Sequence, residues 1–169
     1  MRKAFAQFTH VAADTLVKVA AAGLVAMTLI VGWQVFGRYV LNSSPSWSEQ
    51  AALTLMIWYV SLAAAAGVRE GFHIRIVALE NTLQPRPRRA MRICADLVVA
   101  ACGLAMAIWG GELVIRTWEH TIPSLGLPRG LAYAGLPIAG VLIVVFALER
   151  MFEEADGDQV EDEEDPRWS

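Results

Sequence analysis

Charge is scarce in this chain: of its 169 residues only 18% are charged and 56% are hydrophobic, where a soluble domain carries about a quarter charged. What charge there is falls in bands, leaving uncharged runs at 19–37, 50–68 and 130–148 and a looser apolar run at 93–115. Each is close to the roughly 20 residues that a membrane-spanning helix needs. Lysine is nearly absent. Lys3 and Lys18 are the only two, and neither closes a glycine-rich loop, so there is no phosphate cradle for ATP. His10, His73 and His120 all lie at or beyond the ends of the runs, so a pair of axial ligands for an intramembrane haem is missing. The two cysteines, Cys94 and Cys102, are eight positions apart on one predicted helix. That is about 12 Å along the axis, too far for a disulfide, and they read as buried apolar fillers. No nucleophile sits at useful spacing from a base, and the acidic tail lacks the alternating ligands of a calcium loop. The expectation is a protein that is not an enzyme, with no cofactor, metal or nucleic acid.

What is present is helical. The runs lack a strand's alternation, and lipid admits only helices or closed barrels. The reading is an all-α integral membrane protein with four transmembrane helices at approximately 15–37, 49–68, 92–116 and 130–150. An interfacial amphipathic helix is expected at about 72–84, where Phe72, Ile76, Leu79 and Leu83 form one stripe. His73 lies off that stripe as an interfacial polar group. Residues 1–152 form the membrane domain, and 153–169 read as a disordered acidic cytoplasmic tail holding nine of the seventeen acids. The formal charge of −3 therefore misleads, since before Glu153 there are thirteen bases against eight acids.

Orientation follows from the bases. With the N-terminus inside, eleven of the fourteen, among them Arg69 and the cluster Arg86, Arg88, Arg89 and Arg92, fall on the inner side, against Arg38, Arg116 and Arg129 outside. Both termini are expected in the cytoplasm. The first run is too long for a signal peptide's apolar core and reads as a retained anchor. Phe5, Phe8, Ala12, Leu16 and Val19 share a face before and at its start.

Inside the bilayer, ionisable residues mark substrate and ion routes. Only the third run holds any, Asp96 and Glu112, and each has an arginine one turn away, Arg92 and Arg116. Both pairs read as interfacial i,i+4 ion pairs. Small residues form ladders for close helix contact: Gly103, Ala107 and Gly111 in the third run, and Ala63 with Gly67 in the second. Whether these ladders pack within the chain or against another is open. Pro123 and Pro128 stiffen the last connection. Pro137 lies inside the final run, where a kink is expected with the Tyr133 carbonyl left unpaired; Gly135 and Gly140 ease the bend.

These segments together resemble the small membrane subunit of tripartite ATP-independent periplasmic (TRAP) transporters, the DctQ-type family. The resemblance is carried by GRYVLN at 37–42, which includes Arg38; by Trp47, Ser48 and Glu49 with Trp58 beyond; by VREGFHI at 68–74, which includes Arg69, Gly71 and His73; and by a proline-rich pattern running through Pro123, Pro128, Tyr133, Pro137 and Gly140. Gln50, Ala63 and Val77 depart from the family's usual acid, glycine and aspartate. The resemblance implies a scaffold in the bacterial inner membrane, beside a large many-spanning permease that holds the substrate and sodium sites. It also implies a periplasmic solute-binding protein, touching the outer loops, and an organic-acid cargo. Helices two and three and the inner helix are candidate contacts. Trp47 reads as an interfacial anchor, and Glu49 as a first-turn acid favoured by the helix dipole, with Ser46 or Ser48 as cap. Glu49 either pairs with Arg38 or is held by the dipole alone. The competing class is a self-contained four-helix protein, a small channel or the membrane anchor of an enzyme complex.

Overall fold

A computed structural model describes the backbone of residues 2–43, 45–70 and 85–163, and side chains at 11–43, 45–69 and 91–151. The elements are α1 (Arg2–Tyr39), α2 (Ser48–Glu70), α3 (Pro85–Thr117), β1 (Thr121–Ile122), β2 (Leu127–Pro128), α4 (Arg129–Tyr133) and α5 (Gly135–Glu163). Four stretches, 11–39, 48–69, 91–117 and 129–151, are long and apolar enough to cross a membrane. The shortest has 22 residues, about 33 Å of helix at 1.5 Å per residue, enough for a hydrocarbon core of about 30 Å.

The helices pack in the order α1, α2, α5, α3. α5 is the most enclosed and α1 the least, with only 6% of its most apolar window buried. The core gathers toward one end of the bundle, where Ala13 of α1, Ala65 and Val68 of α2 and Ile143, Phe146 and Ala147 of α5 are buried together. Ala12 and Leu16 of the expected N-terminal face pack against this cluster, whereas Val19 is 51% exposed. We name this the clasp end, and the opposite one, with the short connections, the loop end.

Several expectations change. The final connection is a small hairpin: β1 and β2 pair antiparallel, Thr121 with Pro128 and Ile122 with Leu127. Gly126 takes φ 66 at its tip, a left-handed backbone that glycine adopts without steric cost. The last span is interrupted at Ala134, between α4 and α5, three residues before Pro137; proline supplies no N–H to the Tyr133 carbonyl, so the interruption falls where the bend was expected. Cys94 and Cys102 are exposed, not buried, because they lie on the side of α3 turned away from α5. α5 runs on to Glu163, into the stretch expected as tail, because lengthening an existing helix avoids the cost of a new nucleus. The expected interfacial helix at 72–84, with Gly71 and His73, lies outside the described residues.

Candidate functional site

At the clasp end four ionisable side chains from three helices meet in the interior. Glu149 and Arg150 are neighbours on α5, about 100° apart around the helix, so each faces a different partner. Glu149 pairs with Arg69 of α2 at 3.4 Å, with side chains 5% and 15% exposed. Arg150 pairs with Asp96 of α3 at 3.4 Å, with side chains 9% and 6% exposed. Arg150 Nη1 also donates to the Val68 carbonyl at 2.9 Å, one of the last carbonyls of α2, which has no partner within its own helix. One guanidinium thus bridges α2 and α3 from α5. The cluster is formally neutral, which is what allows such burial. Asp96 Oδ1 takes the ion pair, while its Oδ2 has no hydrogen-bond partner.

The sequence points elsewhere for these groups. Asp96 is expected to pair along its own helix with Arg92, yet its ion pair is with Arg150 on another. Arg150 counts only among the inner-side bases in the sequence, and Glu149 is not singled out there. A signal is nevertheless present: counted along alternating helices, positions 69, 96 and 149–150 reach about the same depth. By contrast Glu112 and Arg116 do pair as expected, at 2.5 Å and exposed.

Above the clasp, α3 and α5 meet on a seam of small residues. A Cβ added at Gly140 would lie 2.5 Å from the Ala107 nitrogen and 2.6 Å from the Gly103 carbonyl oxygen. One added at Gly103 would meet the Ile143 side chain at 2.7 Å. The third rung is Gly110, against Leu136 and Pro137, whereas Gly111 has nothing within 4 Å. The ladder runs 103, 107, 110, because three residues more, rather than four, keep a position on the face turned to α5.

At the loop end, GRYVLN forms the exit from α1: Ser43 N donates to the Gly37 carbonyl at 3.0 Å, with Asn42 at φ 50, a conformation asparagine tolerates better than most residues. The Ser48 hydroxyl donates back to the Pro45 carbonyl at 2.8 Å rather than accepting from a first-turn amide. Trp47 is 41% exposed. Arg38 and Glu49 are both exposed, and no ion pair joins them among the described residues; in water such a pair gains only about 0–1 kcal/mol. Trp58 Nε1 donates to the Leu131 carbonyl at 3.1 Å, and a Cβ at Gly135 would lie 3.2 Å from the Trp58 Cα, fixing α2 to the break between α4 and α5. Tyr133 is half-buried and Pro128 closes the hairpin. The expected residues therefore fall into separate places: Arg69 in the clasp, Gly103, Ala107, Pro137 and Gly140 on the seam, and Trp58, Pro128 and Tyr133 around the hairpin.

Comparison with known proteins bears on what such a bundle is. The family of the DctQ component of tripartite ATP-independent periplasmic transporters matches residues 27–157, from mid α1 into α5. A Haemophilus influenzae protein provisionally named a TRAP transporter small permease is 29% identical over 129 residues, covering 76% of this chain and 80% of that protein. The C4-dicarboxylate TRAP transporter small permease protein DctQ of Vibrio cholerae is 30% identical over 146 aligned residues, 70% of this chain and 61% of the relative. The isethionate TRAP transporter permease protein DctMQ of Oleidesulfovibrio alaskensis is 27% identical over 76% of this chain, a stretch that is 21% of that longer protein. Four apolar spans with a matching profile over most of their length place the chain in one family: it belongs to the DctQ component, the small permease, of TRAP transporters.

Proposed function

We propose that this chain is the fixed scaffold of a TRAP transporter in the bacterial inner membrane, and that a large permease subunit beside it carries substrate and sodium. The observation that carries the reading is the placement of charge. No Asp, Glu, Lys or Arg occurs between Lys18 and Arg38, Glu49 and Arg69, Asp96 and Glu112, or Arg129 and Glu149. A chain that moved ions by itself would need ionisable groups along its route, and those buried here are tied to one another at one end. The relative named DctMQ supports a large partner, since its match to this chain is only 21% of its length. The cargo is an organic acid delivered by a periplasmic binding protein that touches the loop end, and both termini are cytoplasmic, as the surplus of arginine at the clasp end favours.

The test is recovery from the native membrane in mild detergent through an N-terminal tag, followed by mass spectrometry. A strongly hydrophobic protein several times longer, recovered in near-equal amount, is the expected result. Recovery of this chain alone, in a defined oligomer, would sink the scaffold reading.

A further inference from the structure

Beside α2 at the loop end lies a groove of about 260 Å³, walled by α2 on one side and by the hairpin and α4 on the other. Its α2 wall runs from Gln50 through Leu53 to Ile57, about 10 Å along the helix axis, against about 15 Å for one leaflet's hydrocarbon. Ile122 and Ala132 line the far wall and Arg129 and Tyr133 supply polar groups. Leu53 and Met56 are 44% and 41% exposed, so the groove opens to the side of the bundle.

The depth of Arg129 can be read from its neighbours. A Cβ on the adjoining Gly130 would lie 2.9 Å from the Trp118 ring, and Trp118 is 52% exposed just past the end of α3. An exposed tryptophan at the end of a span marks the headgroup level. The Arg129 side chain is itself exposed and has no ion-pair partner among the described residues. The groove thus offers a free cation at headgroup level above an apolar trough that descends into the leaflet.

We propose that this groove seats one glycerophospholipid, its phosphate on the Arg129 guanidinium and one acyl chain along Leu53, Met56 and Ile57. A planar guanidinium donates two parallel hydrogen bonds to phosphate oxygens, Gln50 and Tyr133 can reach the ester region, and the trough removes methylenes from competition with bulk lipid. A neighbouring polypeptide would bring an acid to meet Arg129 as well as an apolar side chain, whereas a phospholipid carries both in one molecule already at the right depth.

The experiment is native mass spectrometry of the delipidated full chain titrated with a phospholipid, and separately with diacylglycerol of the same acyl chains. The phospholipid should bind about tenfold more tightly, as loss of a charged hydrogen bond predicts, and Arg129→Gln should erase that difference. Ile57→Trp, which fills the trough and leaves the cation, should weaken both lipids. Equal binding of the two lipids, or phospholipid binding unchanged in Arg129→Gln, would overturn the proposal. A photocrosslinker at Met56 in native membranes should yield a lipid adduct; an adduct with protein alone would mean that a polypeptide occupies the groove, and would overturn it too.

Discussion

Arg150 carries more of the bundle's specificity than its place at the end of a span implies. Removing one partner of a buried, hydrogen-bonded charge pair leaves the other unmatched, at about 3–5 kcal/mol, whereas exposed pairs contribute about 0–1 kcal/mol. Arg150→Met should therefore lower the thermal stability of the detergent-solubilised chain strongly, and Arg116→Met should leave it nearly unchanged. The pair Asp96→Asn with Arg150→Met should cost less than the sum of its parts, as contacting residues do; strict additivity would mean that the two side chains act independently. The sequence displays Asp96 plainly but not its partner. An i,i+4 arginine is a local pattern, while the pairing that forms spans 54 positions, from Asp96 to Arg150, and depends on which helix face turns inward.

At the scale of elements, long uncharged runs made the four spans legible, and the observed bounds differ from the expected ones by a few residues because helices continue into the interface. Pro137 marked the interruption at Ala134, although one helix was expected across 130–150 where the structure has two, Arg129–Tyr133 and Gly135–Glu163. The seam shows the same limit. Gly103, Ala107 and Gly111 repeat every four residues, yet the face presented to α5 is completed by Gly110. Gly140→Leu should destabilise the chain by at least the roughly 1–3 kcal/mol typical of overpacking, because backbone rather than a yielding side chain stands in the way. Gly111→Leu, with open space around it, should be tolerated, as melting curves of the two variants would show. Equal losses would place Gly111 against something other than lipid.

For the molecule as a whole, the comparison with relatives settles the family, and the lack of charge within the spans agrees with the proposed scaffold role. The relatives' names run from C4-dicarboxylate to isethionate, so membership of the family does not by itself fix a cargo. Stop codons around the end of the last span separate the clasp from the tail. A chain ending at 152 should accumulate in the membrane as the full chain does, and one ending at 148, without Glu149 and Arg150, should not; immunoblotting of membrane fractions decides it.

That contrast follows from the position of Arg150 in the order of synthesis. Translation delivers α2 and α3 to the membrane first, and Asp96 then waits without its guanidinium until the last span has been made. The clasp therefore closes only after Arg150 has been made: a product interrupted before it leaves Asp96 without its guanidinium, an unmatched charge whose burial is costly.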